Sequence, residues 1–241
     1  WDIGLPTRRG VGHVYSSAHT TDAAAEAALR KYVEDTGGAV EAVPRKISFD
    51  PGHRKTFWHR NCVAVGISAG FIEPLEASAL ALIELSAAMI SDDLPATREL
   101  MDVAARRFNE RFHYRWERII EFLKLHYLLS RRSDSAFWTD NRRKDTVPGR
   151  LLELMKLWRY RAPSRRDFYE IEEIFPAASY QYVLYGMGFQ PEALACSGPD
   201  DHARAEGLLR ESAALGRKYL AGLPQNRALI DHVRSHGFPA I

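Results

Sequence analysis

Two carboxylates three residues apart, Glu73 and Glu76, stand where an apolar run gives way to small residues and then to a helical pattern. The stretch reads Gly66-Ile67-Ser68-Ala69-Gly70-Phe71-Ile72-Glu73-Pro74-Leu75-Glu76-Ala77-Ser78-Ala79-Leu80. A strand that passes through small residues into a helix start makes a cradle for an anion or a cofactor. Ser68, Ala69 and Gly70 let another group approach the backbone, and the unpaired N–H groups of a first helical turn present partial positive charge. A flavin ring, a phosphate or a halide would each suit such a cradle. With the helix starting at Pro74, Glu73 and Glu76 fall on neighbouring positions of one face beside Ile72 and Leu75, and one of them is expected to be partly buried. A plainer reading makes Glu73 a local cap and Pro74 a first-turn residue, with the carboxylates complementing the helix dipole by roughly 0.3–1 kcal/mol. Spacing alone leaves both readings open.

Other chemistry is excluded more sharply. The nine histidines show no metal-ligand spacing, His13 and His19, His53 and His59, and His113 and His126 all being wrongly separated for a shared helical pair, so no metal is expected. His126-Tyr127, Phe137-Trp138, and Trp158 with Tyr160 sit in apolar helical patterns and read as core. Arg106-Arg107, Arg131-Arg132, residues 142–144 and Arg165-Arg166 have acids nearby and read as solvated helix faces. No GxGxxG, P-loop or GxSxG sequence occurs, so these residues hold no complete dinucleotide-binding, phosphoryl-transfer or α/β-hydrolase module. Lys plus Arg number 33 against 31 Asp plus Glu, a net charge of +2, which gives no reason to expect a nucleic-acid partner. The longest apolar stretch, 80–90, is interrupted by Glu84 and falls short of the ~20 residues a bilayer needs, so no membrane partner is expected. Cys62 and Cys196 are too few for a disulfide scaffold and point to a reducing, cytoplasmic setting. Nothing near Trp1 reads as a signal peptide, and a start inside a Trp- and Gly-bearing segment suggests a fragment.

The elements that must position these residues follow from periodicity. A strand is expected over 11–17 and a helix over 21–34, capped by Thr21 or Asp22 and ended at Gly37-Gly38. A strand over 45–49, a turn at Asp50-Pro51-Gly52 and a return over 55–59 suggest a hairpin, and 62–67 a buried central strand. After Gly70 the period changes from 2 to 3.6. A buried helix is expected over 74–90, one long or bent helix over 97–129, and further helices over 135–142, 150–160, 168–174, 177–185, 202–220 and 225–236. The chain is therefore α/β (α+β) and predominantly helical, with a few strands followed by a helical subdomain and no internal repeat.

At this level of detail the chain resembles the flavin-dependent tryptophan halogenases, specifically their carboxy-terminal half. Asn61-Cys62-Val63-Ala64-Val65-Gly66-Ile67-Ser68-Ala69-Gly70-Phe71-Ile72-Glu73-Pro74-Leu75-Glu76 resembles the family segment N-C-V-x-[IV]-G-[LI]-S-[SA]-x-F-[LI]-E-P-L-E. Gly12-His13-Val14-Tyr15-Ser16-Ser17 resembles its G-Y-V-[YF]-S-S strand, His126-Tyr127 with Phe137-Trp138 its H-Y…F-W helix pair, and Gly186-Met187-Gly188 its late G-x-G turn.

The resemblance implies the substrate-side half of a hydroxybenzoate-hydroxylase-like flavin monooxygenase fold. Residues 1–75 would be the strand-rich remainder of the flavin module and 76–241 the helical substrate-side subdomain. It implies Glu76 as the catalytic glutamate and Glu73 as a structural one holding the turn before the helix. Ile67 and Leu80 would meet the flavin ring through their backbone, and Ser78 and Ala79 the halide. Reduced FAD, delivered by diffusion from a separate flavin reductase, would with oxygen convert chloride or bromide to hypohalous acid. A lysine and Glu76 would direct that acid onto an aromatic carbon in a second pocket. The family's glycine-rich FAD fingerprint, its lysine and the first Trp of its W-x-W-x-I-P motif would lie upstream of Trp1, with Trp1 and Ile3 resembling the second Trp and the Ile, and Gly4 standing in place of the Pro. The 241 residues alone are therefore expected to be inactive. Glu76-Ala77-Ser78-Ala79 replaces the E-S-T-G of the free-tryptophan enzymes, and 160–175 looks shorter than the strap that holds free tryptophan. The implied substrate is thus an indole or another electron-rich aromatic. A homodimer is compatible with the resemblance. The competing readings are a flavin-dependent aromatic monooxygenase and a non-catalytic helical interaction module.

Overall fold

The computed structural model describes residues 1–5, 7–39, 43–170, 173–192 and 199–238. They form two compact units, Trp1–Pro191 and Glu192–Ile241. The architecture is predominantly helical, and among the described residues all strands are two or three residues long and lie before residue 72.

The spine of the first unit is a helix over Met101–Leu129. At 1.5 Å per residue it is about 44 Å long, and it is unbroken. Ala104, Phe108, Phe112, Trp116, Ile119, Phe122 and Leu123 recur every three or four residues and are buried, so one continuous apolar stripe gives the neighbouring elements something to pack on. Counted in chain order, the helices are α1 (Asp22–Asp35), α2 (Ala79–Asp92), the spine α3, α4 (Ala136–Asp140), α5 (Gly149–Trp158) and α6 (Ala177–Gly186). Leu82 and Met89 of α2, Leu151 and Trp158 of α5, and Tyr180 and Leu184 of α6 join the same core. Helix α1 starts on Thr21, whose hydroxyl accepts from the backbone N–H of Ala24 at 3.3 Å, in line with the sequence reading. The second unit contains α7 (Pro199–Gly222) and α8 (Asn226–His236), close to the helices expected there.

Strand placement departs from the sequence reading. β1 (Asp2–Gly4) pairs antiparallel with β2 (Arg9–Val11), so the expected 11–17 strand ends where it was to begin. No strand covers 45–49. β3 (Gly52–His53) pairs with β6 (Gly70–Phe71), and β4 (Trp58–His59) pairs with β5 (Cys62–Val63), placing the hairpin turn at Arg60-Asn61 rather than at Pro51. The 62–67 run is not a central strand. Only its first two residues pair, and Gly66–Ser68 forms a 3₁₀ turn. A central strand needs partners on both edges, which an apolar run cannot announce. The described residues of 168–174 form no helix.

Asn109 of α3 holds the β4–β5 hairpin in place. Its Oδ1 accepts from the backbone N–H groups of Phe57 at 2.7 Å and Trp58 at 2.9 Å, and its Nδ2 donates to the Trp58 carbonyl at 2.9 Å. One amide thereby satisfies backbone groups that the short hairpin leaves unpaired beside the core. Farther along, Glu121 is buried between Arg118 at 2.9 Å and Arg150 at 2.6 Å. Burial raises its pKa, and the two guanidiniums oppose that rise. Asp167 shows the reverse balance. Burial disfavours its charge, but Arg161, the Trp158 indole N–H and the Ser164 backbone N–H together hold its carboxyl down at about 2.

Candidate active site

The 66–80 stretch is a sequence of short devices, not a strand running into a helix. Gly66 takes a positive φ of 61° to open the 3₁₀ turn, which Ser68 closes by accepting from Val65 N–H at 3.0 Å and donating to Val65 O at 2.8 Å. Arg54 ties this turn to the loop after β3, its Nε donating to Ser68 O at 2.5 Å and its backbone N–H to Ala69 O at 2.8 Å. The turn rests on α2, the Ile83 side chain lying 3.4 Å from where a Cβ on Gly66 would sit.

Gly70 is crowded for a different reason from the one its sequence context suggests. A Cβ there would meet Gly52 O, His53 Cβ and Trp116 Cζ2, each at 2.7 Å. The space beside Gly70 is thus taken by its partner strand and the spine helix.

Helix α2 begins at Ala79 with Ser78 as its N-cap residue, five residues later than Pro74. Glu73 and Glu76 therefore do not share a helical face. They lie in the turn-rich stretch before α2, followed directly by Ala77, whose φ of +47° is unusual for a residue bearing a Cβ. Both carboxylates reach the last turn of α3. Glu76 Oε1 lies 2.8 Å from His126 Nε2, and Glu73 Oε1 accepts from the Tyr127 hydroxyl at 2.7 Å. Burial first, and the Glu73 carboxylate second, push the Tyr127 hydroxyl well above the usual phenol range. Tyr127 is in turn wedged between Phe137, edge-on at 5.6 Å, and Trp138 at 5.9 Å.

Reading His126 and Tyr127 as core missed that their polar tips meet Glu76 and Glu73. The available signal was two residues with polar tips in the last turn of a long amphipathic helix, set among Leu125, Leu128 and Leu129 of the core.

The other candidate residues divide. Ser78 and Ala79 follow Glu76 at the start of α2, where Ser78 makes no side-chain capping bond. Ile67 and Leu80 lie on the 3₁₀ turn and on α2, two elements packed together, and remain 82% and 78% exposed. Helix α2 is thus buried on one face only, not around its circumference. Ile67 also borders a shallow groove of about 320 Å³ along β3 and β6, whose described lining does not include Glu76. Among the described residues there is no grouping of three His, Cys, Asp or Glu that could hold a metal ion. Cys62 is an exposed free thiol, and Cys196 lies outside the described residues.

The tryptophan halogenase family model matches residues 1–198. This chain belongs to the tryptophan halogenase family. Tryptophan 6-halogenase SttH of Streptomyces toxytricini is 32% identical over 217 residues, covering 88% of this chain and 41% of that protein. The crystal structure of a tryptophan halogenase from Shewanella frigidimarina superposes with a TM-score of 0.93 at 45% identity, over 100% of this chain and 46% of that one. BrvH, a flavin-dependent halogenase from Brevundimonas sp. BAL3, superposes with a TM-score of 0.79 at 34% identity, over 97% of this chain and 46% of that one. This halogenase-family chain thus spans somewhat under half the length of the relatives it matches, and its fold is that of the corresponding part of a flavin-dependent halogenase. No helix among its described residues is long and apolar enough to cross a membrane.

Proposed function

We propose that the full-length protein is a flavin-dependent halogenase that places chloride or bromide on an indole or another electron-rich aromatic, and that Glu76 is its catalytic carboxylate. The observation that carries this reading is the fixed carboxylate at the end of α3. Glu76 is held by His126 at 2.8 Å and keeps a third of its side-chain surface open, so it can still meet a substrate.

The neighbouring residues fit a flavin and a halide. Ile67 and Leu80 present apolar side chains and backbone at the edge where a planar ring would cover them, and the uncapped first turn of α2 at Ser78 and Ala79 offers N–H groups to an anion. When bound, reduced FAD supplies with oxygen the oxidising power that turns halide into hypohalous acid. Residues of this chain supply part of the rest. Glu73 and Tyr127 brace the turn, and Glu76 stabilises the positive charge that develops on the ring and receives the proton it sheds.

An indole substrate is supported by the names of the relatives, among them SttH and RebH of Lentzea aerocolonigenes, a tryptophan 7-halogenase. The proposal extends to a separate reductase that delivers reduced FAD, to a cytoplasmic setting, and to residues 1–75 serving the flavin while 76–241 serve the substrate.

Glu76→Gln tests the reading. Flavin and substrate affinity and melting temperature should stay at the parent values while single-turnover halogenation falls at least about a hundredfold, the scale of losing a positioned acid–base group. A normally active Glu76→Gln protein would show that another carboxylate does this work. Formation of a hydroxylated product at the same rate with and without halide would make the protein a monooxygenase.

A further inference from the structure

His126 has two partners whose chemistry fixes its protons. Its Nδ1 lies 2.8 Å from the Phe122 carbonyl oxygen, and a carbonyl only accepts, so Nδ1 carries a hydrogen. Its Nε2 lies 2.8 Å from Glu76 Oε1. Two lone pairs cannot face each other at that distance, so one further proton lies between ring and carboxyl. The pair is then an imidazolium facing a carboxylate, or a neutral imidazole facing a carboxylic acid.

Two features select the first form. His126 stands in the last turn of the 29-residue α3, where the carbonyl end of the helix dipole favours a cation. Glu76 keeps a third of its side chain in contact with solvent, which favours the ionised carboxyl. The ring is also immobilised. Phe122, itself buried in the core, packs edge-on against it at 5.0 Å and 87°, and the Nδ1–H bond locks its orientation. The adjacent titratable pair, Glu73 with Tyr127, forms its own hydrogen bond.

Building on the assignment of Glu76 as the catalytic carboxylate, we propose that His126 is a positioning residue: a cation that donates its Nε2–H to Oε1 and holds Glu76 fixed and ionised. In the step this serves, hypohalous acid gives its halogen to the ring carbon and its oxygen leaves as hydroxide. The C–H proton passes to Glu76, the C–H electron pair returns to the ring, and hydroxide then takes the proton from Glu76 as water. His126 gains and loses nothing.

Two measurements test this on the full-length protein. Long-range ¹H–¹⁵N spectra of the imidazoles should show both nitrogens of His126 protonated at neutral pH, and Nδ1 alone protonated in Glu76→Gln. A wild-type His126 protonated on one nitrogen overturns the assignment. With indole, bromide, reduced FAD and oxygen, His126→Phe should lower kcat about ten- to a hundredfold with KM unchanged, the scale of a misplacement near 1 Å. His126→Gln, which retains a donor near the Nε2 position, should recover most of that loss. Equal rates for His126→Phe and wild type overturn the positioning role, as does a His126→Gln protein as slow as a well-folded His126→Phe. If His126→Phe does not fold, a His126→Gln protein with kcat more than tenfold down and KM raised in proportion overturns it equally. Failure of the underlying reading looks different: Glu76→Gln would then be fully active, whatever the imidazole spectra show.

Discussion

Glu73 and Glu76 have the same chemistry and opposite surroundings. Glu73 meets a half-buried phenol from the spine helix, a charge-assisted bond across 54 residues of chain. Tyr127→Phe and Glu73→Gln should each lower unfolding free energy by about 1.5–3 kcal/mol, the usual worth of a hydrogen bond to a charged group, and neither should lower kcat as Glu76→Gln does. Denaturant titration of both variants measures this, and a loss below experimental error would detach Glu73 from the turn. The pH dependence has a definite sign. Because the native fold raises the Tyr127 pKa, the unfolded chain gives up that proton first, near pH 10. The contribution is complete below that pH and drains away as pH climbs beyond it. Tyr114 and Tyr180 are raised as well, chiefly by burial, so Tyr127→Phe should flatten only part of the alkaline slope.

Among the elements, the short sheets matter for what they fix against α3. The β3–β6 pair has two residues on each strand, and Gly70 lets it close against Trp116 with no room for a methyl group. Gly70→Ala should cost about 1–3 kcal/mol through overpacking, and Gly70→Leu more. The readout is melting temperature without flavin, because the clash is with Gly52, His53 and Trp116. A Gly70→Leu protein that melts normally and loses only flavin affinity would return this glycine to the role its sequence context suggested. The helix that follows shows the opposite economy. Its outer face leaves Leu80 exposed and Ile83 partly so, beside the 3₁₀ turn.

On the scale of the whole molecule, the chain spans 41% of SttH and 46% of the Shewanella frigidimarina enzyme. No glycine-rich pyrophosphate fingerprint occurs in its sequence. Titrated with FAD, residues 1–241 should show no tight stoichiometric binding, and a polypeptide that joins them to a flavin-binding portion should. Fluorescence quenching of FAD measures both, and tight binding by the 241 residues alone would place the flavin site wholly within this chain.

What the sequence by itself determined is what depends on spacing along one element. The 3.6-residue recurrence from Ala104 to Leu123 announces α3, the hydroxyl of Thr21 announces the start of α1, and small residues before an apolar helix mark the region of the site. The motif Glu73-Pro74-Leu75-Glu76 drew attention to two carboxylates without showing what holds them. Only the tertiary structure decided that Ala77 takes a left-handed backbone, that α2 starts at Ala79, and that Glu73 and Glu76 end on Tyr127 and His126. Periodicity registers which face of an element is apolar, whereas a left-handed residue between two elements and a polar pair at a helix end leave no periodic trace. Their partners lie about fifty residues away, and that distance is closed only when the apolar stripe of α3 gathers the rest of the first unit around it.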